Sequence, residues 1–514
     1  MFKKIVFLIG IIVLALAKSA NAAASTHPIS LYPQPGFFRF SFDNVKMPNH
    51  MEDMGLLGIQ YYADITPNIY GGIGGYGSIT GTQGGLFVLG FGGGYRHAIL
   101  QHVWGDVGIF IGGGGGRASL VGGGFMMRPY VGIAYEFPWA RIGVHYSYID
   151  FTSGQIRSQQ LGADLDIPFD FYYTDPTTSS LIEFDDIHLP FGKYLGWQRN
   201  DFALLMQAYR LKQGTRDLGG EIQDGTMGLI GAELDHYIAE KIFWYVKMAG
   251  AFHGIKNGYM DILGGLGGHF PIVRESLALV PQLGAGMGGG GNVNTGGGVL
   301  VQPQLGVELA LSRKISARAS GGYLWSPKGN LRATTATGMI IYHLDVATGV
   351  AQPVNDLVDQ MKIQNWRVQL FNQTYFHPQR AFDPTITSPI NLVAFQIDQL
   401  FTPWLFMCYQ ATSAYSGVHA GGYATGMIGP GVQTKEYYNS HWQAFAEILI
   451  GAGGGGGLAL GGGAIIEPVL GIHYAFNKNL GAQLSVAQVK ALKNDLNTTA
   501  LNAGFTLRLA TVDN

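Results

Sequence analysis

Three glycine-rich stretches carry the spacing that most invites a chemical reading. They are IFIGGGGGRASLVGGGFMMRPYVGIAY at 109–135, LGAGMGGGGNVNTGGGVLVQPQLGVEL at 283–309 and LIGAGGGGGLALGGGAIIEPVLGIHY at 449–474. Each contains matches to G-x-G-x-x-G, which cradles a phosphate only where it joins a strand to a helix. No helix is expected after any of them, so these glycines read as parts of a tightly curved strand wall that let bulky neighbours pack. Among 14 histidines there is no H-E-x-x-H and no close ligand pair. His145, His343 and His473 are expected to join hydrogen bonds in an interior, not to bind metal or act as a base. Asp106 with Arg128 and Arg141 could form a gate or ion path, but a buried structural network is the commoner use of such charges. No Ser or His stands with recurring carboxylates, so neither an enzyme nor a cofactor is expected.

The three stretches are copies of one unit. In each, a Gly-Gly-Gly triplet is followed by a proline and then a glycine, giving the pairs Pro129 with Gly132, Pro303 with Gly306, and Pro468 with Gly471. Such internal repetition has to be settled before any fold is assigned. Around Pro303, Val301, Leu305, Val307 and Leu309 alternate with Gln302, Gln304, Gly306 and Glu308, which is the period of a strand. The nearly uncharged run 445–469 is too rich in glycine for a helix, since each glycine costs about 1 kcal/mol there.

Residues 1–22, with Lys3 and Lys4, an apolar run and Ala20-Asn21-Ala22, read as a secretory signal cleaved near Ala22. Gly 78 of 514, aromatics at 12% and charges at only 13% are unusual for a soluble secreted protein. A near-neutral charge gives no footprint for nucleic acid, and the single Cys408 cannot form an internal disulfide. Alternating strands without a spanning helix point to a transmembrane antiparallel β-barrel, which satisfies every backbone group in lipid.

Superposing the copies gives about 24 strands in three eight-stranded repeats. The expected domains are the signal at 1–22, repeats at 23–175, 201–346 and 366–514, and linkers at 176–200 and 347–365. Within 347–365, Val354, Leu357, Val358 and Met361 could form a short amphipathic helix. Strand alternation sends a polar set into the lumen: Gln60, Asp106, Arg128, Arg141, Glu233, Gln302, Arg318, Gln396, Glu447, Glu467 and Arg508. Three tandem small barrels are favoured over one 24-stranded barrel, because inward charges are few and no plug is evident.

The run Tyr130-Val-Gly-Ile-Ala-Tyr, a short turn, and Ile142-Gly-Val-His-Tyr-Ser-Tyr resembles the closing half of the small eight-stranded outer-membrane barrels, the opacity-protein and OmpA-like group. Members of that group usually have one unit and end in an aromatic residue, whereas this chain has three and ends Ala510-Thr-Val-Asp-Asn514. The expected role is structural or surface contact through external loops in the outer membrane of a Gram-negative bacterium, the alternative being a porin-like diffusion channel for small solutes. The expected partners are outer-membrane lipid, the barrel-assembly machinery and a host-surface or envelope protein.

Overall fold

The computed structural model describes residues 29–513, apart from 117, 178–180, 183–186, 190–192, 255–257, 274–275, 351–360, 436–440 and 494–495. The proposed signal and most of the proposed linker helix lie outside the described residues. No described helix is long and apolar enough to cross a membrane, which says nothing about strands.

The first eight long strands are β1 (Gly36–Val45), β2 (Met54–Asp64), β3 (Ile69–Ser78), β4 (Phe87–Leu100), β5 (Val103–Gly115), β6 (Met126–Glu136), β7 (Arg141–Phe151) and β8 (Arg157–Pro168). Each pairs antiparallel with the next, and β8 returns to β1 with Phe37 opposite Pro168 and Asp43 opposite Gly162, closing a barrel. The second set is β9 (Tyr194–Leu211), β10 (Thr226–Ala239), β11 (Ile242–His253), β12 (Tyr259–Gly268), β13 (Leu277–Gly290), β14 (Val299–Ala310), β15 (Ile315–Trp325) and β16 (Arg332–Val350). It closes where β9 pairs with β16, from Tyr194 opposite Val350 to Leu211 opposite Ala333. The third is β17 (Met361–Phe376), β18 (Ile390–Leu400), β19 (Leu405–Ser416), β20 (Ala424–Gln433), β21 (Trp442–Gly454), β22 (Ala464–Ala475), β23 (Leu480–Ala491) and β24 (Asn497–Asp513). It closes through β17 and β24, from Phe376 opposite Thr499 to Lys362 opposite Asp513. The chain therefore forms three eight-stranded barrels in series, in which each of these 24 long strands pairs on both sides.

Connections alternate in length. At one end lie tight turns in which a side chain accepts from the backbone, as Thr66 Oγ1 does from Ile69 N (2.9 Å), Thr402 Oγ1 from Leu405 N (2.9 Å) and Asn477 Oδ1 from Leu480 N (2.8 Å). At the other lie the longer loops 46–53, 212–225 and 377–389. The first glycine stretch leads into one helical turn, α1 (Ala118–Val121), where none was expected. At four residues it is too short to offer a phosphate site.

The barrels touch in a cyclic pattern at the loop end. The hairpin between the fifth and sixth strands of each barrel meets the loop after the third strand of its neighbour. Gly84 N donates to Gly296 O (2.9 Å) between barrels 1 and 2, and Gly421 N donates to Gly122 O (2.9 Å) between barrels 3 and 1. Between barrels 2 and 3, a Cβ at Gly258 would collide with the Gly454 backbone. Gly85, Gly258 and Gly422 hold equivalent places with φ of +88°, +69° and +89°, which L side chains rarely adopt. The glycine runs are thus partly strand wall, as expected, and partly the surface through which one barrel meets the next. Below this ring, Phe91, Ile111 and Val393 are buried between barrels 1 and 3.

At the turn end, the linker positions differ from expectation. Residues 194–200 and 347–350 are strand, and so are 361–365, so the described parts of the linkers are largely extensions of β9, β16 and β17. Met361, assigned to a helix from its spacing, begins β17 and is buried with Leu31, Tyr172, Ala347, Ala510 and Val512. The segment 171–173 pairs with 32–34, and Thr174 bridges Ala510. The residues beyond Leu509 are accordingly built into an apolar plate shared by all three barrels.

Candidate functional site

Period-two alternation sends one face of every strand inward, so the interiors are the places where side chains from distant parts of the chain meet. Each lumen has two halves. Toward the loops it is apolar: Leu56, Tyr76, Val88, Phe110 and Ile149 pack in barrel 1, Tyr209, Leu229, Tyr259 and Leu300 in barrel 2, and Leu392, Tyr423, Leu449 and Val489 in barrel 3. Toward the turns it is polar.

In barrel 1, Arg39 is the hub. Its Nη2 donates to Asp106 (2.6 Å) and Asp166 (2.7 Å), its Nε to Asp166 (2.7 Å) and its Nη1 to Tyr130 (2.8 Å). Gln60 is buried opposite it in register. Arg128 donates to Asp43 (2.8 Å), whose other oxygen accepts from Ser147 (2.6 Å) and faces His145 (2.9 Å). His145 Nδ1 lies 2.7 Å from Asp164. Arg141 sits apart, donating to Glu136 (2.8 Å) and stacking over Trp104. Asp106, Arg128 and Arg141 therefore form no joint gate, since each is held by a different partner. A cavity of about 10 Å³ beside Arg39, Asp106 and Asp166 has room for roughly one water.

Barrel 2 places Arg318 against Glu233 (3.1 Å), Asp235 (3.0 Å) and Glu308 (2.9 Å). Gln282 donates to Glu233 (2.8 Å), while Lys247 donates to Gln302 and Gln207. His343 bridges Asp201 (2.6 Å) and Ser316 (2.7 Å). Barrel 3 uses amides more than ion pairs. Arg367 and Gln369 both donate to Asp398 (2.7 Å each), and Gln396 spans Asp398 (2.8 Å) and Glu447 (3.2 Å). Gln373 donates to Glu467 (2.7 Å), and Arg508 to Gln443 (2.7 Å).

His473 departs from expectation. It is buried and stacked on Phe445 (4.2 Å between centroids), with no hydrogen-bond partner at either ring nitrogen among the described residues. Asp398, Cys408 and Glu447 bring ligand-type atoms within 4.8 Å of one another, a grouping the sequence reading did not foresee. The Asp398 oxygens already accept from Arg367, Gln369 and Gln396.

The polar residues expected to face the lumen lie on inward strand faces, but several of the groups that organise the networks were not among them. Arg39, Asp43, Asp166, Asp235, Arg367 and Asp398 organise the networks. The signal was present in β1, where Phe37, Arg39, Ser41 and Asp43 alternate with Phe38, Phe40 and Phe42. The inward apolar half had a signal too: Leu56, Leu229 and Leu392 each stand four residues before Gln60, Glu233 and Gln396.

No family model matches this chain, and no curated protein matches it. Among solved structures it is similar to the Pseudomonas aeruginosa protein OccK3 (OpdO), at 8% identity over 93% of this chain and 96% of that one, with a TM-score of 0.21. It is also similar to the ferric enterobactin receptor PfeA of the same organism, at 7% identity over 94% and 82%, with a TM-score of 0.28. The siderophore receptor PirA gives 8%, 95% and 81%, with a TM-score of 0.27. Likeness at these scores carries no argument about the number of barrels or their use.

Proposed function

We propose that this chain is a Gram-negative outer-membrane protein whose three barrels are structural, contacting an envelope or host-surface partner through the loop end and passing no solute through their lumens. The observation that carries this reading is the buried apolar cluster that blocks each lumen toward the loops, above a polar half packed by its own ion pairs and amides. The membrane placement is supported by the exposed apolar outer faces, among them Val131, Leu161, Leu305 and Leu470. Exposed Phe137, Trp139, Phe401, Trp404 and Phe476 mark the turn end, where an interfacial aromatic girdle belongs. A Sec-type signal and the barrel-assembly machinery would deliver such a chain. At the loop end, 377–389 offers Phe382, 81% exposed, as the kind of apolar contact a protein partner buries.

Single-channel recording in planar bilayers tests the reading. Blocked lumens give no sustained conductance steps, whereas stable open steps would sink it and establish the diffusion channel instead.

A further inference from the structure

Each seam between barrels sets the third strand of one against the fifth strand of the next. The contacting positions are equivalent by register. Gly77 lies opposite Leu57, Gly250 opposite Ile230 and Ser413 opposite Val393, each three residues before the aligned Gln60, Glu233 and Gln396. On the fifth strands, Gly113, Met287 and Ala452 each stand sixteen residues before the proline of their repeat. A Cβ at Gly77 would run into the Met287 thioether. One at Gly250 would meet nothing within 4 Å except the Ala452 Cβ, at 3.2 Å. One at Gly113 would meet the carbonyl oxygens of Ala414 (2.8 Å) and Ser413 (2.9 Å).

Every seam therefore closes on a glycine: Gly77 takes the Met287 side chain, Gly250 takes Ala452, and Gly113 lies against the Ser413 and Ala414 carbonyls. In two seams the glycine is on the third strand and in one it is on the fifth. Lipid tails are as apolar as a barrel wall, so association within a membrane has to come from close packing through small residues, not from hydrophobic burial. Opposing two large residues at such a contact overpacks it, and opposing two glycines leaves a void.

We propose that this placement of one glycine in each seam is a docking code by which the barrels recognise one another, fixing their order around a closed ring and holding their loop ends together independently of the linkers and of the turn-end plate. The two faces on each barrel are different, so contact is head to tail, and three such contacts close because the rotation returns to the start. The occupant of each face is the neighbouring barrel of this chain.

The test uses the full chain carrying protease sites within 183–186 and 351–360, folded in detergent and then cut. The cut wild type should elute as one three-barrel particle. Gly250→Leu or Gly113→Leu alone opens one seam, and the fragments should stay together through the other two. Gly250→Leu combined with Gly113→Leu should leave barrel 3 tied only through the turn-end plate, so that it dissociates at a urea concentration that leaves the cut wild type whole, with barrels 1 and 2 still paired and each fragment still heat-modifiable. None of these glycines has a positive φ, so leucine strains only the contact. Should that pair fail to fold, Ala452→Leu with Ser413→Leu presses the same two seams from their other sides. Gly77→Met should loosen the first seam, and adding Met287→Gly should restore it. Release of barrel 3 from the cut wild type or from a single variant at that urea concentration, its retention there in both double variants, or failure of the Met287→Gly rescue would overturn the proposal.

Discussion

The loop-facing and turn-facing halves of each lumen are built by the same strands with opposite chemistries. On β2 the inward face runs from Leu56 to Gln60, on β10 from Leu229 to Glu233, and on β18 from Leu392 to Gln396. The apolar half is alike in all three barrels, because filling space needs only suitable volume. The polar half differs from barrel to barrel. Barrel 1 is organised by Arg39 and Arg128, barrel 2 by one arginine among three carboxylates, and barrel 3 by glutamines around Asp398. Buried charges and amides require specific partners, so each copy must reach its own self-consistent set, whereas apolar groups do not.

The largest effect should come from the polar half. Arg128→Leu leaves Asp43 buried without its cation and should destabilise by about 3–5 kcal/mol, measured as a shift in urea unfolding in detergent. A smaller loss would mean that Ser147 and His145 suffice to hold that carboxylate. In the apolar half, Leu229→Ala removes volume without stranding a charge and should cost about 2–5 kcal/mol. If it exceeds Arg128→Leu, the contrast between the halves fails. Outside the lumen, Leu305→Arg places a cation toward lipid on the 53%-exposed face of β14 and should cost about 2–4 kcal/mol near the midplane. The adjacent inward Gln304→Ser should do much less, and equal effects would reverse the assigned facing. The smallest effect belongs to Glu467→Gln. Glu467 Oε2 has no hydrogen-bond partner among the described residues, so an isosteric amide should change stability by less than about 1 kcal/mol. A loss near that of Arg128→Leu would reveal a partner for that oxygen.

The strand pattern was legible in the sequence: Pro129, Pro303 and Pro468, each with the glycine three residues on, all fall in the sixth strand of their barrel. Alternation is a local property, and turns such as Thr66-Pro67 announce themselves. The linkers were less legible. An apolar spacing like that of Val354 to Met361 fits several structures, and Met361 became strand because its backbone could pair with both Ile182 and, one residue on, the chain's last strand. Charge partners were not legible either. Arg128 and Asp43 are 85 positions apart, and no local pattern links them.

The sequence by itself determined three repeats, their antiparallel strands and which side of each strand faces inward, because period two and turn chemistry act over a few residues. Only the tertiary structure decided that β8 returns to β1, that β16 returns to β9 and that β24 returns to β17, giving three rings instead of one. It also decided that Arg39 takes Asp106 and that the glycine runs serve as seams. These choices join residues far apart in the chain, and closing such long loops is favoured only when many contacts form together.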